Sequence, residues 1–158
     1  MALVIRQAEH RDLASLGRLG AMLMQTHYAF DKRRFLSPAE GSAAGYASFL
    51  GSRLESADDR VFVAEEGGNV VGYAFAALEP MSWKELRGPA GFIHDLAVAV
   101  DARRKGVGTA LMQAAVEWLR DRGAPRVILW TAAPNAEAHS LLRRLGFRDT
   151  MIEMTMEL

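Results

Sequence analysis

Apolar residues along this chain recur at two different periods, and the switches between them divide it into strand-like and helix-like stretches. Leu3 to Gln7 reads as a short strand. From His10 the period becomes helical, with Leu13, Leu16, Leu19, Leu23 and Met24 on one face. Asp31 to Gly45 mixes charges, Pro38 and glycines and reads as a loop, before a second helix through Tyr46, Phe49, Leu50 and Leu54. Val61 to Ala64 and Val70 to Leu78 are β-prone runs joined by Glu65-Glu66-Gly67-Gly68-Asn69, the pattern of a hairpin. Pro80 to Pro89 interrupts the pattern, and Phe92 to Val98 resumes it as a central strand.

The clearest helical stretch runs from Arg104 to Arg122, where Val107, Leu111, Ala114, Ala115, Trp118 and Leu119 share a face and Gly123 suits the left-handed residue that ends a helix. Arg126 to Thr131 reads as another strand. Pro134-Asn135 opens a further helix with Asn135 as its cap, and Gly146 closes it. Thr150 to Leu158 alternates and is expected to end the sheet. A strand, helix, strand passage between residues 92 and 131 needs a right-handed crossover, hence at least one parallel pair in a sheet that otherwise contains hairpins. The expected fold class is therefore α/β, with a mixed, mostly antiparallel sheet and about four helices.

Composition narrows the function. The 158 residues fit one domain over 1–158, and a 50% hydrophobic, 24% charged make-up is that of a globular protein. Lysine plus arginine equals aspartate plus glutamate at 19 each, so no global field recruits nucleic acid or anionic lipid. The apolar runs are too short to span a bilayer and the first residues lack the features of a signal peptide, which makes a cytoplasmic location the expectation. There is no cysteine, so disulfides, a protein thiolate nucleophile and cysteine-based zinc sites are excluded. The four histidines, at positions 10, 27, 94 and 139, lack metal-ligand spacing, and no metal is expected.

What remains is a local anion site. Arg103-Arg104-Lys105-Gly106-Val107-Gly108 leads from the strand ending at Val98 straight into the long helix. Unpaired amides at a helix N-terminus point outward, the two glycines let backbone approach a phosphate, and the helix dipole adds roughly 0.3 to 1 kcal/mol per anion. The turn fits neither a dinucleotide fingerprint, whose third glycine would fall on Leu111, nor a phosphate-binding P-loop, which needs Gly-Lys-Ser/Thr.

Those residues resemble the pyrophosphate motif of the GNAT N-acetyltransferases: Arg or Gln, two residues, Gly, one residue, Gly or Ala. The apolar strand Ile93 to Val98, five residues before Arg103, is similar to the family's fourth strand. Asn135, Ala138 and Leu145-Gly146-Phe147 resemble the helix and Gly-Phe step that close its coenzyme A site. The resemblance implies a parallel central strand pair splayed to admit acetyl-CoA as co-substrate. Backbone of Leu96, Ala97 and Val98 would pair with the pantetheine arm, and Arg103, Arg104, Lys105, Gly106, Val107, Gly108 and Thr109 would hold the pyrophosphate. Asn135 would serve as cofactor contact or as helix cap. A homodimer and a small-molecule or protein amine acceptor are further expectations.

Direct transfer to an amine needs a base and an acid. A primary amine with a pKa of ~10.4 is mostly protonated at neutral pH, and freeing its lone pair costs about 4 to 5 kcal/mol. His94, on the central strand, and Glu79, at the end of the preceding one, are the candidate bases. Asp95 reads as a structural hydrogen-bond acceptor on the strand face opposite His94. Many relatives place an acidic tyrosine seven residues after the asparagine, where this chain has Leu142. Ser140, Tyr28, Tyr73 or water are the substitutes, departure of the thiolate without a proton is the other route, and the missing tyrosine supports a rival reading: a catalytically weak acyl-CoA-binding or regulatory module.

Overall fold

The hairpin forms as its turn chemistry requires. In the computed structural model, which describes residues 2–158, β2 (Asp59–Glu66) turns through Gly67 and Gly68, at φ 59° and 81°, into β3 (Asn69–Glu79). Both glycines adopt the left-handed conformation that side chains resist. β1 (Leu3–Gln7) pairs antiparallel with β2, β3 pairs antiparallel with β4 (Ala90–Val98), and β5 (Val127–Ile128) pairs parallel with β4. The order is β1-β2-β3-β4-β5, mostly antiparallel with one parallel pair, as the crossover required.

Helices cover both faces. On one, α1 (Leu13–Phe30) and α2 (Ser42–Arg53) bring Leu16, Leu19 and Leu50 against Val61, Val63, Tyr73 and Phe75. On the other, α3 (Val107–Asp121) sets Leu111, Met112, Ala115 and Leu119 against Ala74, Ala76 and Ile93, joined by Leu142 of α4 (Ala136–Arg144). Each fully buried leucine contributes roughly 1.5 to 3 kcal/mol. α1 and α2 approach closely because Gly17 and Gly20 face α2. A Cβ on Gly17 would lie 2.4 Å from the Ala43 carbonyl oxygen, and one on Gly20 would lie 2.2 Å from the ring of Tyr46.

Four boundaries differ from the sequence pattern. α3 starts at Val107 rather than Arg104, because Arg104 and Gly106 take φ 61° and 84°, outside the helical region. α2 starts at Ser42, ahead of Gly45, so the loop after α1 is shorter than Asp31 to Gly45. The strand expected over Arg126 to Thr131 contracts to two residues, since only Gly91↔Val127 and Phe92↔Ile128 pair. Thr150 to Leu158 alternates but forms no strand: among the described residues it has no ladder partner, and every residue of it is exposed. Alternation supplies a face for a strand, while pairing supplies its hydrogen bonds, and here only the first is present.

Candidate active site

Register places the chemistry. Between β3 and β4, Phe75 pairs with Asp95 and Ala76 with Ile93, so His94 is the extra residue of a β-bulge. The bulge resets the alternation. Phe92 and His94 before it, and Asp95 and Ala97 after it, all lie on the α1/α2 face, as their contacts with Phe75, Tyr73 and the α1/α2 core record. Ile93 and Leu96 pack toward α3. Asp95 is therefore not opposite His94, as strict period two required, but beside it. Just before the bulge, at Phe92, the β4–β5 pairing stops, which leaves Ile93 to Val98 without a β5 partner and splays the parallel pair.

Glu79 and His94, 15 positions apart, meet here: His94 Nε2 and Glu79 Oε1 are 3.0 Å apart. The imidazole stacks on Phe92 at 5.2 Å and leans on Phe75 at 5.2 Å, so two aromatic rings fix its plane. Both side chains line a cavity of about 410 Å³ with Phe49, Arg53, Asp59, Phe75 and Asp95. Three carboxylates face one guanidinium in it. Arg53 is already drawn to Asp59 at 3.6 Å.

Tyr46 and Tyr73 both donate to Asp95 Oδ2, Tyr73 from 2.9 Å, and so tie α2 and β3 to β4 beside the bulge. Burial first, and then the Asp95 carboxylate, push both phenols far above the usual tyrosine range, so both stay protonated donors. The reading of Asp95 as a structural acceptor holds, but its partner Tyr46 was not singled out from sequence. Gly17 and Gly20, three residues apart on α1, are the signal that marks where Tyr46 packs.

The basic turn divides its residues between two jobs. Arg103 folds back, its Nε donating to the Val98 carbonyl oxygen at 3.1 Å, and so pins the turn to the end of β4. Arg104 and Lys105 are exposed. Gly106 is the N-cap of α3, no side chain caps that terminus, and its first turn holds no acid. The amides of Val107, Gly108 and Thr109 are thus left to an outside acceptor.

On α4, Asn135 acts as the cap, its Oδ1 accepting from the Ala138 amide at 3.1 Å. Ser140 is exposed, takes a hydrogen bond from Arg144 and does not line the cavity. Leu142 is buried among α3 residues and Ile93. His139 bonds Thr131 at 2.8 Å, linking α4 to the segment after β5. Among the described residues no group of three histidines and carboxylates could hold a metal, and no helix is long and apolar enough to cross a membrane.

Comparison with known proteins agrees with this arrangement. The model of the GNAT acetyltransferase family matches residues 21–147. An uncharacterized N-acetyltransferase of Bacillus subtilis, YhfO, is 29% identical over 147 residues, covering 92% of this chain and 89% of that protein. The mycothiol acetyltransferase of Saccharomonospora viridis is 37% identical over 91 residues, but those cover 56% of this chain and 30% of that enzyme. A transcriptional regulator from Bacillus halodurans superposes with a TM-score of 0.76 at 20% identity, over 99% of this chain and 100% of the other. The aminoglycoside N-acetyltransferase AAC(6')-Iy in complex with coenzyme A gives 0.77 at 18% identity, over 99% and 95%. With a family model matched across most of its length and the fold to go with it, this chain belongs to the GNAT family and is an acetyltransferase.

Proposed function

We propose that this enzyme moves the acetyl group of acetyl-CoA directly to a primary amine of a cationic acceptor, with the Glu79–His94 pair accepting the amine's proton. The observation that carries the reading is the meeting of these two side chains at 3.0 Å, over a cavity walled by aromatic rings and carboxylates, where β4 and β5 part.

The residues fit the co-substrate. The splayed edge of β4 leaves the backbone of Leu96, Ala97 and Val98 for the pantetheine arm, and the uncapped N-terminus of α3, with Lys105, Gly106, Val107, Gly108 and Thr109, suits the pyrophosphate. Arg104 adds a free cation, and Arg103 holds the turn in place. When bound, acetyl-CoA supplies an electrophilic thioester carbonyl.

Everything else falls to the chain's own groups. Asp59, Glu79 and Asp95 favour a cation in the cavity, and Phe49 and Phe75 offer it apolar and quadrupolar contact. His94 takes the ammonium proton, and Glu79 stabilises the imidazolium that forms and fixes its orientation. With Ser140 and Tyr28 outside the cavity and Tyr73 fully buried on Asp95, the departing thiolate is left to solvent for its proton. The absence of cysteine fits a route without an acyl-enzyme.

The test is thiol release from acetyl-CoA with a panel of polyamines, aminoglycosides, amino acids and peptide N-termini. Turnover with a cationic member, reduced about 10²- to 10⁴-fold in His94→Gln with coenzyme A binding intact, is the expected outcome. Tight coenzyme A binding without turnover on any amine would instead support an acyl-CoA-binding module. The buried, hydroxyl-free side chain of Leu142 is the observation that favours that second reading.

A further inference from the structure

His94 sits at the least restrained point of its strand. A bulge leaves its extra residue out of the ladder with β3, and β5 pairs no further than Phe92, so no strand pairing fixes the backbone there. Phe92 and Phe75 hold the plane of the imidazole. The neighbouring residue fixes its place. Asp95 pairs with Phe75, and its Oδ2 takes hydrogen bonds from two hydroxyls, that of Tyr73 on β3 at 2.9 Å and that of Tyr46 on α2. Consecutive Cα atoms lie about 3.8 Å apart across a rigid peptide, so an anchored Asp95 leaves the His94 backbone little freedom.

Of the two donors, Tyr46 comes from outside the sheet. Tyr46, Phe49 and Arg53 follow one another at helical spacing on one face of α2, and Phe49 and Arg53 line the cavity together with His94. The contacts close on themselves. Tyr46 meets Phe49 edge-on at 6.0 Å, Phe49 meets Phe75 at 5.9 Å, and Phe75 leans on His94 at 5.2 Å. The return path runs from the Tyr46 hydroxyl to Asp95 and so to His94. One hydroxyl therefore ties the strand that carries His94 to the helix that walls the cavity. The Tyr46 ring is itself seated against α1, where Gly20 leaves the space it fills.

We propose that Tyr46 is a positioning residue for the transfer: through Asp95 it sets where His94 stands, and through Phe49 it keeps the α2 wall of the cavity in step with that histidine. Tyr46 does not line the cavity and takes no part in the proton transfer. Its effect is on distance and angle, and a displacement of about 1 Å in a reacting group costs up to about 100-fold in rate. The role rests on His94 as the base, whereas the placement of the imidazole by Tyr46 stands without it.

Tyr46→Phe removes the hydroxyl and keeps the ring against Gly20 and Phe49, and two measurements on the full chain test it. Histidine ring signals are recorded by proton–carbon NMR without ligand, the His94 signal being identified by its loss in His94→Gln. Thiol release is followed with acetyl-CoA and the cationic amine of the panel above that the wild type turns over. The expected result is a displaced His94 signal and a kcat lower by about 10- to 100-fold, with KM for acetyl-CoA and the far-ultraviolet spectrum unchanged. Asp95→Asn, a weaker acceptor of the same shape, should displace the signal in the same direction. Asp12→Asn, which weakens the fold at the Arg6 pair and outside the cavity, should leave signal and kcat as they are. A His94 signal unmoved in both Tyr46→Phe and Asp95→Asn, or a loss confined to KM or to stability, would overturn the proposal. A displaced signal with unchanged kcat would overturn it as well, by removing His94 as the base. If no amine is turned over, the transfer reading falls by its own test, and the NMR signal still decides whether Tyr46 places His94.

Discussion

Gly20 is where a single methyl group should cost most. A Cβ there would lie 2.2 Å from Cδ1, 2.6 Å from Cγ and 2.7 Å from Cε1 of Tyr46, whereas carbon atoms rest at about 3.5 Å or more. The ring must therefore retreat by about 1.3 Å, the difference between ~3.5 Å and the 2.2 Å of the structure. It is not free to do so, because its hydroxyl is bonded to Asp95 and its edge meets Phe49. Overpacking costs about 1 to 3 kcal/mol, against a helix-propensity gain for alanine over glycine of roughly 0.5 to 1 kcal/mol. The expected net loss for Gly20→Ala is ~1 to 2 kcal/mol, which for a chain of this size lowers Tm by about 2 to 8 °C. Urea unfolding at constant m-value is the assay. In a Tyr46→Ala background the same substitution should become neutral or mildly stabilising, since the clash is gone and only the propensity gain is left. A penalty of equal size in both backgrounds, or none in the wild type, would refute the packing account.

Three further outcomes are expected. Hydrogen bonding to Arg6 holds the Asp12 carboxyl below the usual range, so its contribution is complete above the unfolded carboxylate pKa and is lost as pH falls through the lower folded value. Acid unfolding of Asp12→Asn should accordingly be flatter below about pH 4 than that of the wild type. Gly106→Ala places a side chain at φ 84°, which should cost ~1 to 2 kcal/mol and raise KM for acetyl-CoA, measured by unfolding and by thiol release. Gly108→Trp, whose Cβ would already touch Leu141 at 3.5 Å, should raise KM for acetyl-CoA at least about tenfold, since each factor of ten needs only ~1.4 kcal/mol, while its far-ultraviolet spectrum stays unchanged.

The family and the anion turn were legible because their signals are local. Arg103 to Gly108 sit next to one another and the Asn135 cap follows from a few neighbouring residues, whereas the start of α3 at Val107, after Gly106 at φ 84°, lies three residues past the Arg104 that the apolar period suggests. His94 and Glu79 were each legible as candidates, but their meeting was not. Nor was Tyr46 as a partner of Asp95, because 49 residues separate them and the contact depends on how α2 packs on α1.

By itself the sequence determined the order of strands and helices from β1 to α4, the parallel crossover and the basic, glycine-containing turn ahead of α3. These depend on hydrophobic period, turn glycines and caps, which act over a few residues. Only the tertiary structure decided the rest. One extra residue at His94 brings Asp95 onto the same face of β4, the splay after Ile128 opens that strand, and Thr150 to Leu158 is left without a partner. The physical reason is that strand register and pairing are settled by contacts between distant segments, and a shift of one residue carries every later side chain to the other face.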